Sequence, residues 1–262
     1  MGTVEANGAT LYYEMHGQGE PLVMIQGCGG DITLWETQIE PLSKHFQLIL
    51  FDNRGMGRSQ VSPGNYTTQL LAQDAAALME HLGIQSAHVL GWSMGGMIAQ
   101  ELAIAHPKLV NKLILSASAS KFPDSSVFIF NAFVEMMRRG EYESLAKWQM
   151  TLCFSHQFFS DAQVVAETLE SFINPSYPLA LEGFTSQISA LFSHDRRGQL
   201  QAIQCPTLVL GAEEDQFFPI PVVHETAADI SGAKSQILSG SHLYFVEYPE
   251  EVSESTIAFL KA

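Results

Sequence analysis

The sequence predicts an α/β fold, in which a mostly parallel β-sheet is flanked by helices and carries an inserted helical segment. Three observations lead to this prediction. Short apolar runs alternate with helical stretches along most of the chain, the pattern of βαβ units. This alternation is interrupted once, between residues 121 and 198. A Gly-x-Ser-x-Gly pattern at residues 91–95 stands between an apolar run and the helical stretch that follows it.

The predicted strands are short apolar runs. Residues 9–15 form an early edge strand or hairpin arm, because a glycine-rich turn at Gly17 and Gly19 follows them. The other runs are short and mostly apolar, which is typical of strands buried on both faces of a parallel sheet. They are residues 22–26, 48–51, 88–90, 113–116, 207–210 and 235–238.

The predicted helices of the core show apolar residues at helical spacing. They cover residues 68–82, 94–105 and 249–260. Pro107 ends the second of these at His106, because the proline ring disfavours continuation of a helix.

Residues 121–198 interrupt the alternation and predict a helical cap. This segment is rich in Phe, Met and Ser and has helical patterns at 127–139, 142–153, 161–173 and 179–192. Residues 1–120 and 199–262 then form the core. We expect the cap to cover the carboxyl edge of the sheet, where open α/β sheets bind ligands.

Charge and cysteine content exclude several classes of protein. The 262 residues include 28 acidic and 13 basic ones, for a net charge of −15, so neither nucleic acid nor an anionic membrane surface is an expected partner. The three cysteines form no C-x-x-C pair, and the N-terminus lacks the pattern of a signal peptide. We therefore expect a cytoplasmic protein, as a monomer or a homodimer.

Ser93 is the predicted nucleophile. A Gly-x-Ser-x-Gly pattern alone occurs often by chance, but a preceding strand and a following helix are the context of a nucleophile elbow. The flanking glycines permit a tight, strained turn, which lifts the serine hydroxyl above the sheet. The alternative is a glycine-rich turn with an incidental serine.

His242 is the predicted base, because a serine hydroxyl is a poor nucleophile without one. It lies between the last predicted strand and the last helix, at the same sheet edge as Ser93. His16, His81 and His106 are expected at loops or helix ends, and His156 and His194 belong to the cap.

The orienting acid is expected on the loop after the 207–210 strand, where Glu213, Glu214 and Asp215 compete. The spacing from Gly211 and Pro219 favours Asp215, with Glu214 as the second choice. The order Ser…Asp…His is the one expected for a nucleophile elbow.

Two backbone N–H groups are predicted to bind the oxyanion, those of Met94 and Cys28. Met94 follows the nucleophile, and Cys28 lies in the glycine-rich segment 26–30 after an early strand. Cys28 as the nucleophile is a weaker alternative, since no histidine follows it nearby.

No cofactor or metal is predicted. The segment 51–59 contains a Gly-x-Gly but lacks the third glycine and the helix of a dinucleotide site, so we interpret it as a structural turn. Neither a phosphate-binding P-loop motif nor a zinc-binding His-Glu-x-x-His motif occurs.

Together these motifs resemble the α/β-hydrolase fold family over nearly the whole chain outside the cap. The residues that carry the resemblance are 26–30 with Trp35, Asp52-x-Arg54-Gly55-x-Gly57-x-Ser59, the segment 91–96, the segment 206–211 with Asp215, and Ser241-His242-x-x-x-x-Glu247-x-Pro249. The resemblance implies an α/β-hydrolase fold with an eight-stranded sheet, a helical cap and a Ser93–His242–Asp215 triad. The chain departs from the family at Gln26-Gly27, where relatives usually have His-Gly.

The resemblance favours hydrolysis of a small carboxylic ester, and the expected partner is a small-molecule ester or lactone substrate. Alternatives are an enol-lactonase, a carbon–carbon bond hydrolase of aromatic catabolism, and a non-catalytic ligand receptor on the same fold. The candidate substrate-binding residues are Trp35, Trp92, Phe130, Phe133 and Trp148. No arginine or lysine of the cap is identifiable as a carboxylate clamp, because Arg138, Arg139, Arg196 and Arg197 are expected to be exposed. We therefore expect an uncharged, partly apolar acyl group.

Overall fold

Eight strands form one sheet in the computed structural model, which describes residues 1–262. They are β1 (Gly2–Ala6), β2 (Ala9–His16), β3 (Glu20–Ile25), β4 (Phe46–Phe51), β5 (Ala87–Trp92), β6 (Val110–Ser116), β7 (Thr207–Ala212) and β8 (Lys234–Leu238). Their order across the sheet is β1-β2-β4-β3-β5-β6-β7-β8. The pairs β1–β2 and β2–β4 are antiparallel and all other pairs are parallel, which confirms the predicted sheet.

Ten α-helices accompany the sheet. They are α1 (Glu36–Ser43), α2 (Thr68–His81), α3 (Met94–Ala105), α4 (Asp124–Arg139), α5 (Tyr142–Cys153), α6 (Ala162–Ile173), α7 (Leu181–Ser193), α8 (Ile220–Ala228), α9 (Tyr244–Glu247) and α10 (Pro249–Lys261). The sequence patterns for α3 and α5 predict their bounds without error. The predicted start of α6 shifts by one residue, because Asp161 is its N-cap and accepts hydrogen bonds from the N–H groups of Gln163 and Val164.

The sheet separates two apolar clusters, because successive side chains of a strand point to opposite faces. In β3, Leu22 and Met24 enter one cluster, whereas Val23 and Ile25 enter the other. Helices α2, α3 and α8 contribute to the cluster of Val23, and helices α1, α9 and α10 contribute to the cluster of Leu22. Burial on both faces explains why the central strands are continuously apolar.

Residues 121–198 hold α4 to α7 and no regular strand. We call this segment the cap. Its two ends meet in a single antiparallel bridge between Lys121 and Asp195. Arg196, the residue after Asp195, donates two hydrogen bonds to Glu101 of α3, at 2.8 and 2.6 Å. Arg196 is therefore an anchor between cap and core, and the expectation that it is exposed is wrong.

Helix α7 packs directly on the turn that follows β4. A Cβ atom at Gly183 would lie 2.1 Å from the carbonyl oxygen of Gly55, so only glycine allows this approach. The contact fixes the α7 end of the cap against the core, on the side of the sheet edge that carries the candidate site.

The structure contains no helix that is both long and apolar enough to cross a membrane.

Candidate active site

Ser93 occupies a strained turn between β5 and α3. Its backbone has φ 56° and ψ −121°, a conformation that is uncommon for a residue with a side chain. The flanking glycines make the turn possible. A Cβ at Gly91 would lie 2.2 Å from the Gly95 carbonyl oxygen, and a Cβ at Gly95 would lie 2.1 Å from the Ile25 carbonyl oxygen. The tight turn directs the Ser93 side chain away from the sheet, at the N-terminus of α3.

Ser93, His242 and Asp215 form one hydrogen-bonded line, although they are far apart in sequence. His242 Nε2 lies 3.1 Å from Ser93 Oγ, and His242 Nδ1 lies 2.9 Å from Asp215 Oδ2. All three residues are buried. An ionised carboxylate only accepts hydrogen bonds, so it holds the proton of the imidazole on Nδ1. Nε2 is then the acceptor that faces the serine hydroxyl.

Asp215 is held by the chain that follows it. Its Oδ1 accepts hydrogen bonds from the N–H groups of Phe217, at 2.8 Å, and Phe218, at 3.0 Å. The second choice, Glu214, faces the surface and pairs with His156 of the cap at 2.6 Å. Hydrogen bonds from the backbone N–H and the ring of His156 lower the pKa of Glu214. The structure thus places Asp215, and not Glu214, beside His242.

Three further contacts hold the loop of His242. The indole Nε1 of Trp92 donates to the His242 carbonyl oxygen at 3.0 Å, and the two rings lie 4.9 Å apart. Glu247 accepts a hydrogen bond from the N–H of Ser241 at 3.0 Å. Leu243 N–H donates to the carbonyl oxygen of Cys153, at the end of α5. The loop is therefore fixed by the core on one side and by the cap on the other.

The loop after β3 lies against Ser93. A Cβ at Gly27 would lie 3.1 Å from the Cβ of Ser93 and 2.6 Å from the Trp92 ring. The N–H of Cys28, the next residue, donates to no protein group. The N–H of Met94 belongs to the first turn of α3, where helical N–H groups have no partner within the helix. The two segments next to Ser93 therefore each contain a backbone N–H without a protein acceptor.

Comparison with known proteins agrees with this architecture. Residues 20–249 match the family described as alpha/beta hydrolase fold. The chain belongs to this family. It is 30% identical to 3-oxoadipate enol-lactonase 2 of Acinetobacter baylyi, over 99% of this chain and 96% of that protein.

Two solved structures of this family are close in shape. The enol-lactonase from Burkholderia xenovorans LB400 superposes with a TM-score of 0.91, at 27% identity over 100% of both chains. A thermophilic esterase from Thermogutta terrifontis gives a TM-score of 0.89, at 26% identity over 100% of this chain and 98% of that one. These proteins are named for different substrates, so membership of the family leaves the substrate open.

Aromatic side chains of the cap and of the core extend the site of this hydrolase. We call them the phenylalanine cluster. Phe217 lies 4.8 Å from the His242 ring, and Phe130 of α4 lies 5.9 Å from Phe217. Phe184 of α7 reaches the loop after β3, since a Cβ at Gly29 would lie 3.1 Å from its ring. The members are Phe122, Phe130, Phe133, Phe184, Phe192, Phe217 and Phe218.

The five candidate substrate-binding residues lie in four different environments. Phe130 and Phe133 belong to the phenylalanine cluster, and Trp92 packs against His242. Trp35 is 1% exposed and packs on Phe245 within the core, 4.7 Å between ring centres. Trp148 is 53% exposed on α5. The structure brings neither Trp35 nor Trp148 against Ser93, His242 or Asp215, so it does not support these two predictions.

Several residues of the site were not identified from the sequence. Phe217 and Phe218 stand directly after Asp215, and their position in that motif was the available signal. Glu247 lies in the motif of His242 and had no assigned role. Gln187, a cap residue that binds the loop after β3, carries no sequence signal at all.

The environment of the Cys28 thiol bears on the alternative in which Cys28 is the nucleophile. Burial raises the pKa of the Cys28 thiol, which disfavours the thiolate that a cysteine nucleophile requires.

In the turn after β4, the Asp52 carboxylate accepts hydrogen bonds from the N–H of Ile32 at 2.8 Å and from the N–H and Nε of Arg58 at 2.9 Å. The polar residues of that turn are thus occupied in holding two loops together.

Proposed function

We propose that this α/β-hydrolase cleaves a small, uncharged carboxylic ester through an acyl-enzyme intermediate. The observation that carries the proposal is the buried line from Ser93 Oγ through His242 to Asp215, with links of 3.1 and 2.9 Å. In a hydrogen-bonded line of this type, a histidine removes the serine proton as the oxygen attacks, and an aspartate stabilises the imidazolium that forms.

In the first half of the proposed reaction, Ser93 Oγ bonds to the carbonyl carbon of the ester and its proton passes to His242 Nε2. The carbonyl oxygen becomes an oxyanion, which the N–H groups of Cys28 and Met94 are placed to bind. The bond between the carbonyl carbon and the alcohol oxygen then breaks. The leaving alcohol takes the proton from His242.

In the second half, His242 removes a proton from water as the water oxygen attacks the acyl-enzyme. The Ser93 ester bond breaks, the serine regains its proton from His242, and the carboxylic acid leaves. The same reaction opens a lactone, which is a cyclic ester. An enol-lactonase therefore needs no further catalytic group, and it remains the second candidate because two relatives carry that name.

The distribution of cations supports an uncharged substrate. None of the 13 Lys and Arg side chains forms a hydrogen bond or ion pair with the triad. The arginines that are buried or half-buried all pair with carboxylates of the core: Arg54 with Asp74, Arg58 with Asp52, and Arg196 with Glu101.

The remaining cations also lie outside the site. Lys112 bonds to backbone carbonyls of α10, Lys121 pairs with Asp124, and the other lysines and arginines are exposed. The phenylalanine cluster offers an apolar wall instead. Because a carboxylate buried without a partner is unfavourable, we expect the site to reject anionic acyl groups. A 3-oxoadipate enol-lactone keeps one free carboxylate, since only one of its two carboxyl groups forms the lactone. The same argument therefore counts against this lactone as the substrate.

The first experiment asks whether Ser93 is the nucleophile. The wild-type protein should hydrolyse p-nitrophenyl butyrate and react with a fluorophosphonate probe, with the label on the peptide that contains Ser93. Ser93→Ala should abolish both signals and keep the thermal melting profile of a folded protein. Absence of turnover and labelling in the wild-type protein, together with tight saturable binding of one ligand, would favour a receptor.

The second experiment asks about charge. p-Nitrophenyl butyrate and p-nitrophenyl hemisuccinate have acyl chains of equal length, but only the hemisuccinate carries a terminal carboxylate. We expect kcat/KM to be at least about tenfold higher for the butyrate. Equal or better turnover of the hemisuccinate would contradict an uncharged substrate and leave the role of Ser93 intact.

A further inference from the structure

Gln187 connects the cap to the loop that carries the proposed oxyanion donor. It lies on α7 and is fully buried. Its Oε1 accepts a hydrogen bond from the N–H of Gly29 at 3.0 Å, and its Nε2 donates to the carbonyl oxygen of Arg54 at 3.0 Å. A backbone N–H only donates and a carbonyl oxygen only accepts, so these two partners allow a single orientation of the amide.

The loop forms a type II turn. The Gly30 N–H donates to the Gly27 carbonyl oxygen at 3.3 Å, and Gly29, the third residue, has φ 78°. Type I and type II turns differ in the direction of their central peptide, here the one between Cys28 and Gly29. The bond to Gln187 holds the N–H of this peptide on the cap side.

A flipped peptide would be incompatible with the remaining partner of Gln187. The flip would turn the Cys28 carbonyl towards the amide, which would then have to present Nε2 to it. That rotation would place Oε1 against the Arg54 carbonyl oxygen, two acceptors without a proton between them. The amide therefore stabilises the type II turn and disfavours the flipped one.

The segment around Arg54, which accepts the hydrogen bond from Gln187 Nε2, is held in place by the core and by α7. The guanidinium of Arg54 forms a buried ion pair with Asp74 at 2.6 Å, and Gly55 is in backbone contact with Gly183 of α7. In the turn that Gln187 Oε1 contacts, Gly27 lies against Trp92 and Ser93. Cys28 is thus fixed on its N-terminal side by the core and on its C-terminal side by Gln187.

We propose that Gln187 is a positioning residue that holds the Cys28–Gly29 peptide, and with it the N–H of Cys28, in the geometry that stabilises the oxyanion. This inference rests on the proposed ester hydrolysis for its kinetic consequence, but the clamp itself is a property of the loop. Gln187 contacts no reacting atom in this scheme. It acts through the backbone that follows Cys28.

The kinetic test uses Gln187→Met, which keeps the length of the side chain and removes both hydrogen bonds. Loss of a whole oxyanion donor reduces kcat by about 10²–10³, so loss of its positioning should reduce kcat by about 10- to 100-fold. KM for p-nitrophenyl butyrate should stay close to the wild-type value. Affinity for a trifluoromethyl ketone, which forms an oxyanion adduct with the serine, should fall by a similar factor. Gln163→Met, at an exposed position on α6 of the cap, is the matched control and should change neither value.

The second readout does not depend on activity. Hydrogen exchange of the Gly29 amide, followed by NMR, should be faster in Gln187→Met than in the wild-type protein and the control, because this N–H loses its acceptor. Gln187→Glu keeps the shape of the side chain if Gln187→Met fails to fold. It keeps an acceptor for the Gly29 N–H but places a carboxylate oxygen against the Arg54 carbonyl, so the clamp loses its anchor at Arg54 and kcat should fall, though by less than in Gln187→Met.

Two results would overturn the proposal. One is an unchanged kcat with unchanged exchange at Gly29. The other is a general loss of stability in which kcat and KM change together while Gly29 stays protected. If the wild-type protein neither hydrolyses esters nor labels at Ser93, but Gly29 exchanges faster in Gln187→Met, the clamp stands and the proposed function fails.

Discussion

Replacing Ser93 by glycine should leave the protein more stable than replacing it by alanine. Both substitutions remove the hydroxyl and its hydrogen bond to His242, so those losses cancel in the comparison. They differ in the Cβ atom, which alanine retains at φ 56° and ψ −121°. Glycine adopts a positive φ without steric cost.

The magnitude follows from two opposing effects. A residue with a side chain held in such a conformation costs about 1–3 kcal/mol. Glycine gains flexibility in the unfolded chain, which offsets about 0.4–1 kcal/mol of this. Ser93→Gly should therefore exceed Ser93→Ala by about 0.5–2 kcal/mol in free energy of unfolding, with a melting temperature higher by a few degrees.

Thermal melting and urea denaturation of the two variants measure this difference. Ser118 provides the control, because it is fully buried and has no positive φ. There, Ser118→Gly should be less stable than Ser118→Ala. The reasoning is refuted if Ser93→Gly melts at or below the temperature of Ser93→Ala, since the strain assigned to the turn would then be absent.

Three further predictions concern the triad and the anchor of the cap. Asp215→Asn should lower kcat for p-nitrophenyl butyrate by roughly 10⁴ with little change in melting temperature, because the amide cannot hold the proton of His242 on Nδ1. Trp92→Phe should lower the free energy of unfolding by about 1–3 kcal/mol in urea denaturation, because the His242 carbonyl loses its donor. Burial alone would raise the pKa of Glu101, but hydrogen bonds from His194 and Arg196 outweigh it and lower that pKa. A carboxyl group with a lowered folded-state pKa stabilises the protein above its unfolded pKa and loses this effect as the pH falls through the folded one. Glu101→Gln should therefore be less stable than wild type at pH 7, and the difference should shrink in acid. A difference that does not depend on pH would contradict this.

The sheet and most helices could be predicted because their signals are local. Strands buried on both faces show as continuous apolar runs, and the bounds of α3 and α5 follow from helical spacing. The strand β1 was missed because a five-residue edge strand buries only Val4 and Ala6. Helix α1 was missed because Pro41 within it is ordinarily a sign against a helix. Helix α9 has only four residues.

The candidate triad was also predictable, since each member follows a strand whose carboxyl end lies at one edge of the sheet. The lining of the site was not. The sequence does not distinguish an aromatic side chain of the phenylalanine cluster from one in the core or one exposed to solvent, as Phe130, Trp35 and Trp148 show in turn. Gln187 and Gly29 are 158 residues apart, and no local pattern records such a pair.

The cap also takes part in holding the proposed chemistry, in addition to covering the sheet edge. Gln187 binds the loop of the proposed oxyanion donor. Ser155, after α5, donates from its N–H and hydroxyl to Glu247, at 3.0 and 2.6 Å, and the same carboxylate accepts from Ser241 beside His242. One cap helix thus contacts the loop of the proposed oxyanion donor, and the end of another contacts the loop of the proposed base, His242. Both contacts require the cap to keep its position on the core. A change in the cap that favours a new acyl group must therefore preserve both contacts, or the proposed oxyanion donor and His242 would lose their positions. Under the proposed reaction, substrate choice and catalytic rate are therefore physically coupled in this protein, although Ser93, His242 and Asp215 all lie in the core.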